Sequence, residues 1–441
     1  MASNITQETR YTIPEIASPA LERGPLWIRD IRRASLEAFN STPVPRRGLA
    51  LWRYTDPETF LIRSDVMDTA FGDHFDEAES IETKHFEDGT LDGLVIDHGG
   101  RRIDVRLSGH SARNGIVIMA LSDAIETHRE LVERHLYQAV NSRTGKFEAM
   151  NGALWNDGVF VFIPDNKTVE RPIHLIREAG RAGSASFPRL LVVVGANAEV
   201  TLVDEYAGGE RTSEHGLAYT NGAVEIFGGP DSRTRYISLQ RQAEGTISYL
   251  THRARIGTGA SMLTVPFAFG ASISKQNFGV DLNGEGATSK MVGLVFGNGR
   301  QHFDNHTLHH HTVGQTFSDI DFKVVLRGKS RSAYTGLIRI DHHAKSCEAY
   351  QENRNLLLNR GTKAETIPEL EILNEDVSCS HGATVGPIDD MQVFYLMARG
   401  IHYQEAVRMV VSGFVRSSIT AAPADLQERL SSVISERLGD L

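Results

Sequence analysis

The chain reads as mainly β: a right-handed parallel β-helix flanked by N-terminal and C-terminal α-helical regions. Three observations carry this reading. Short β-branched and aromatic runs recur between residues 159 and 372, spaced unevenly by roughly 20 to 30 residues where clearest, as in a solenoid with irregular rungs. Small turns separate them: Gly195-Ala196-Asn197-Ala198, Gly257-Thr258-Gly259-Ala260, Gly284-Glu285-Gly286-Ala287, Gly328-Lys329-Ser330 and Gly361-Thr362-Lys363-Ala364. No helix-length pattern interrupts the series. A sandwich has even spacing of about 8–12 residues and clean alternation; periodicity alone leaves that fold open. The expected divisions are a mostly helical, mixed region over 1–150, the β-helix over 151–386, and a helical C-terminal domain over 387–441.

The 441 residues exceed one ordinary core and suit an elongated repeat with end pieces. The 40 glycines against 14 prolines favour many tight turns over disorder. A net charge of −10 without a basic block argues against nucleic acid and against anionic membranes as partners. The cysteine count, 2, fits a reducing cytoplasm. The first residues lack a basic stretch followed by an apolar one, so no signal peptide is expected. No apolar run approaches the roughly 20 residues of a membrane helix.

In chain order, residues 1–20 read as a loose tail. Residues 25–40 have helical spacing, with Trp27, Ile31, Ala34 and Ala38 on one face and Pro25 in the first turn. Trp52-Arg53-Tyr54-Thr55 reads as an aromatic packing anchor, and the acidic residues 73–88 as a solvated face. A second helix is expected over 122–140. Strands are expected over 159–163, 190–194, 200–203, 224–227, 247–250, 262–267, 291–296, 322–326, 336–340 and 370–372. The C-terminal helices carry start and stop signals. Asp389 is an N-cap with Gln392 as its box partner, Gly400 a C′ residue, and Asp425 with Glu428 a second box. The middle helix places Ala406, Met409, Val410, Gly413 and Phe414 on one face.

Candidate chemistry starts at Cys379 and His381. On an extended strand the two project from one side, and a thiolate beside an imidazole suits zinc, copper or iron–sulfur chemistry. The plain alternative is a small buried cysteine beside a satisfied histidine.

Three words in this region bear on the choice. Asn353-Arg354-Asn355-Leu356-Leu357-Leu358, Cys379-Ser380-His381-Gly382-Ala383-Thr384-Val385-Gly386 and Phe394-Tyr395-Leu396-Met397-Ala398-Arg399-Gly400-Ile401 resemble the SufD branch of the SufB/SufD family. A weaker echo, Asn151-Gly152-Ala153-Leu154 to Pro164 and Pro172, extends toward mid-chain. These are scaffold subunits of iron–sulfur cluster assembly. The resemblance implies the β-helix fold. It implies a SufB-like paralogue as partner, met near Cys379 and His381, where a transient iron–sulfur cluster is handled and none is tightly bound. It also implies that a SufC-like ABC-type ATPase docks on the C-terminal helices. The turn where SufB chains carry a cluster-building cysteine reads Arg360-Gly361-Thr362-Lys363-Ala364-Glu365 here. That points to the D branch and against a self-sufficient, SufB-like scaffold. Cys347 lies outside the shared words and reads as structural filler.

The second candidate is the cluster His302, His306, His309, His310 and His311. His309 and His311 share a strand face with Asp304 near and are candidate metal ligands, one transition ion wanting three or more; the alternative is a solvated or hydrogen-bonded rung edge. Two motifs are decoys. Gly328-Lys329-Ser330 ends like a phosphate loop, but Lys323 stands where its first glycine belongs and strand-like sequence follows. Gly257-x-Gly259 and Gly284-x-Gly286 lack a third glycine and an opening helix. The last signal is an apolar helix over 390–399. Met391, Val393, Phe394, Tyr395, Leu396 and Met397 leave it apolar nearly all round, so a neighbour must cover it. Phe394 and Tyr395 point about 100° apart, which suggests one internal and one at a contact. The ATPase-docking set is Met391, Phe394, Tyr395 and Met397, joined by Met409 and Phe414. The expected function is a non-catalytic scaffold, paired with its paralogue or with its own copy when alone. A β-helical carbohydrate-active enzyme is the rival from another class.

Overall fold

The computed structural model describes residues 18–62, 86–179, 183–208 and 217–439. It is a parallel β-solenoid of about eight turns with helices at both ends of the chain. Each turn contributes one strand to each of two sheets, each counted as ten-stranded. The first sheet runs from Gly93–Asp97 and Ile173–Ala179 through alternate strands to Phe317–Leu326, Cys347–Leu357 and Val377–Pro387. The second runs from Val117–Ala120 to Ile273–Leu282, His302–His311, Arg331–Ile340 and Lys363–Ile372. Pairing is parallel except at the start, where Ile103–Leu107 pairs antiparallel with Gly93–Asp97 and Val117–Ala120 with Gly158–Ile163.

Parallel sheets need cover on both faces. Inside the solenoid, a core of Val161, Val192, Leu202, Ile226, Val280, Val295 and Val324 stacks rung upon rung. Outside the second sheet lies the N-terminal helical cover, where helices Leu26–Ser41 and Lys146–Leu154 pack with Phe160, Leu191 and Tyr249. Outside the first sheet lie helices Asp390–Met397, Tyr403–Thr420 and Ala424–Leu438, packed on Ile237, Val265, Phe267 and Leu294. The turns overlay closely. Gly328 has φ +73°, and a Cβ there would lie 3.0 Å from the Gly299 carbonyl oxygen.

Several expectations need correcting. The strands are longer and more numerous than the apolar runs suggested; Ile273–Leu282 and Cys347–Leu357 were not among them. The first helix buries Ile28, Arg32, Ser35 and Phe39 rather than the Trp27 face. Arg32 is tolerated there because it donates to the Ala153 and Trp155 carbonyls at 3.2 and 2.7 Å and stacks on the Trp155 ring. The helix expected over 122–140 is two short ones, Leu121–Thr127 and Arg129–His135, broken at His128. Trp52 does anchor its loop, buried against Phe60, Phe147 and Tyr249. The acidic residues 73–88 lie outside the described residues except for 86–88.

At the C-terminus, Asp389 caps Met391 N at 2.9 Å, and Gly400 ends the helix at φ +85°. The Asp425–Glu428 box does not form; Pro423 stands at the N-cap without a side-chain cap. The helix Tyr403–Thr420 turns Ala406, Val407, Val411, Val415 and Ser418 inward, so Met409 is left outside.

Candidate functional site

The strands Lys363–Ile372 and Val377–Pro387 end their sheets, each paired on one side. Cys379 pairs with Ala349 and His381 with Gln351. Ala349 and Gln351 are buried inward positions, so Cys379 and His381 share the inward face of the last rung. Yet His381, Ala383 and Val385 are exposed, whereas their partners Gln351, Asn353 and Asn355 are buried. A rung interior that faces solvent is an open end, and its edge strands offer unpaired backbone groups. Cys379 is half-buried at the margin of a small cluster made by Ile338, Ile340, Ala344, Cys347 and Ala349. Burial pushes its thiol pKa up, and the nearby Cys347 thiol adds to that. Cys379 is therefore a neutral thiol near pH 7, and its thiolate chemistry awaits a cation or a metal. Cys347 is fully buried, 3.2 Å from Thr316 Oγ1, and plays a packing part.

His309 and His311 do share a face, inside the solenoid. Burial pushes their pKa values down to about 3 and about 4, so both rings are neutral. Hydroxyls hold them: His309 Nε2 lies 3.0 Å from Ser289 Oγ, and His311 uses both nitrogens on Thr316 and Ser318 at 2.7 and 2.8 Å. Among the described residues, no group of three or more His, Cys, Asp or Glu is placed to hold a metal ion. His302 and His306 point the other way, to the outer face. There Lys275 Nζ donates to Asp304 Oδ2 at 2.9 Å and to the Leu51 carbonyl at 2.6 Å, and His306 Nε2 lies 2.7 Å from Asp304 Oδ1. Burial opposes the Asp304 charge, but Lys275, His306 and Thr55 outweigh it and hold its pKa well below the usual carboxylate range. This network pins the loop around Trp52 to the solenoid. Sequence reasoning missed it; the only signal was charge inside a strand pattern, Lys275 in one rung and Asp304 in the next.

On the C-terminal helices, Met391 (71%), Phe394 (63%), Tyr395 (56%) and Met397 (42%) are all exposed. Phe394 and Tyr395 are thus both outward, contrary to expectation, because the helix turns Val393 and Leu396 into the apolar cluster that it shares with helix Tyr403–Thr420. Met391, Phe394, Tyr395, Met409 and Val410 line an apolar groove. Phe414 does not belong to it: it packs against the first sheet, with Lys323 Nζ 5.7 Å from its ring centre. The helices are tied down by Glu205, which accepts from Arg429 at 3.3 and 3.2 Å and lies 2.9 Å from His174 Nε2.

These features define a β-solenoid with an open final rung, a helical cover at one flank and an apolar helical patch at the other. Residues 175–414 match the family model described as "SUF system FeS cluster assembly, SufBD core domain", and residues 103–175 match "SufBD protein N-terminal region". The chain belongs to the SufB/SufD family of iron–sulfur cluster assembly proteins. It is 24% identical over 432 residues to an iron–sulfur cluster assembly SufBD family protein of Staphylococcus aureus (strain USA300), covering 97% of this chain and 92% of that one. The iron–sulfur cluster assembly protein SufB of Bacillus subtilis (strain 168) matches with the same identity and coverage. The family sets aside the carbohydrate-active reading. No described helix is long and apolar enough to cross a membrane.

Proposed function

We propose that this chain is the D-type, non-catalytic scaffold subunit of a SUF-type complex in the cytoplasm. It pairs with a SufB-like chain and docks a SufC-like ATPase, and an iron–sulfur cluster passes through the pair as cargo rather than as a resident cofactor. One observation carries this: the last rung is open, and it places Cys379 and His381 at the opening. A second chain that continues the sheets would cover the exposed inward residues and pair the edge strands. It would also bring new donors beside Cys379. Without its paralogue, a second copy of this chain can use the same edge.

The apolar groove of Met391, Phe394, Tyr395 and Met409 supports the ATPase contact. The absence of a cysteine from Arg360 to Glu365 supports the D branch. The similarity to a protein named SufB favours a second reading, a self-sufficient cluster scaffold. Purifying the chain alone and with its SufB-like and SufC-like partners, then recording visible spectra after reconstitution, separates the two. The D reading expects a cluster spectrum only in the complex, reduced in the His381→Ala complex. A stable cluster on the isolated chain, or an unchanged yield with His381→Ala, would reject it.

A further inference from the structure

The outer face of the second sheet ends in a column of basic side chains, of which the first, His302, is held neutral because burial lowers its pKa. His302 stacks on Arg331, and Arg331 on Lys363, in consecutive rungs, about 4.8 Å apart. Beside this column the turns repeat a pattern, Gly299-Arg300, then Gly328-Lys329, then Gly361-Thr362. Lys329 N donates to the Gly299 carbonyl at 2.7 Å, so Lys329 sits one rung beyond Arg300. Like charges stacked on neighbouring strands repel. Lys363 answers with an ion pair to Glu365 at 2.5 Å. Among the described residues, Arg300, Lys329 and Arg331 make no ion pair and no side-chain hydrogen bond.

These cations line a groove of about 710 Å³ whose opposite wall is the segment carrying Tyr54, Asp56 and Thr59. The Asp56 carboxylate is engaged in accepting from Glu58 N at 3.0 Å. Three cations without an ion pair in one recess, faced by the carboxylate of Asp56, are an anomaly in a chain of net charge −10. We propose that this groove binds a small phosphate-bearing anion, with Arg300, Lys329 and Arg331 as its ligands. Guanidinium forks match phosphate oxygens two at a time, and an ammonium adds a point charge. The recess is walled on two sides, which suits a small molecule, and the acidic remainder of the chain opposes a long polyanion. Binding here implies no hydrolysis, because the Gly328-Lys329-Ser330 turn leads into the strand Arg331–Ile340 and not into a helix.

The test is calorimetric titration of the full chain with sodium pyrophosphate, with citrate and a hexaglutamate peptide as parallel probes. All three basic residues are exposed, so the combined Arg300→Gln, Lys329→Gln, Arg331→Gln variant should fold, checked by circular dichroism. The expected result is saturable pyrophosphate binding, weakened about tenfold or more in that variant, as loss of charge-assisted hydrogen bonds requires. Substituting the distant Arg129→Gln should leave it unchanged. Absence of saturable binding, equal binding by the triple variant, or tighter binding of citrate or hexaglutamate would overturn the proposal.

Discussion

Phe394→Asp isolates the docking role of the helical patch from its structural role. Phe394 is 63% exposed and its helix buries Val393. The substitution removes little native packing, so stability should change by no more than about 0.5 kcal/mol. Binding is different. A phenylalanine side chain can bury about 150–250 Å², and about six-tenths of it is still free here. A partner that closes over the ring would remove about 95–160 Å² from water, worth about 2.4–4.0 kcal/mol at about 25 cal/mol per Å². The dissociation constant for the SufC-like ATPase should then rise from about 50-fold to several hundredfold. The assay is an anisotropy titration of labelled ATPase, with thermal melting of each variant as the control. Val393→Asp, at 3% exposure, should instead loosen the helix itself. If Phe394→Asp and Tyr395→Asp both fold and both bind the ATPase with unchanged affinity, the patch is not the docking surface.

Three other outcomes follow from the same structure. His310 lies between the carboxylates of Asp281 and Asp341, at 3.5 and 3.1 Å. The bond to Asp281 raises its pKa, burial opposes this, and Asp341 adds to the rise. A raised histidine stabilises the fold below its unfolded pKa and loses that contribution as pH rises through the folded value. NMR titration should find His310 deprotonating above an ordinary histidine, and Asp341→Asn should lower it. Glu225 accepts from Tyr137 N, Ala139 N, Val140 N and the fully buried Arg189. Glu225→Ala strands that arginine and should cost about 3–5 kcal/mol, read as a lowered melting temperature; an unchanged melt would contradict the packing described. The isolated chain should show no ATP turnover, and turnover lost in Lys329→Ala would contradict that.

The solenoid was legible where a rung is apolar on both faces, as in residues 190–194 or 291–296. It was illegible in Ile273–Leu282, whose inward side carries Ser274 and Gln276 and whose outward side carries Lys275. Those groups are acceptable because the lumen is polar there and the N-terminal loop covers the outside. Neither condition is local, so no local pattern reports it. The same cause rotated the first helix in the reading: Arg32 looks like a surface residue until the carbonyls of Ala153 and Trp155 are brought to it. At the site, the strand spacing of Cys379 and His381 placed both on one face, as expected. What the spacing could not tell is that this face opens to solvent, since that depends on the rung being the last. The angle of about 100° between Phe394 and Tyr395 suggests one internal and one at a contact; both are exposed because the helix buries only Val393.

The central claim is that the final rung is the pairing edge. Hydrogen–deuterium exchange of the chain, with and without its SufB-like partner, tests it most directly. The account predicts new amide protection across Val377–Pro387 and Lys363–Ile372 on complex formation, since edge-strand N–H groups gain acceptors there. A complex that forms with these amides exchanging as before, and with protection confined to other surfaces, would contradict it.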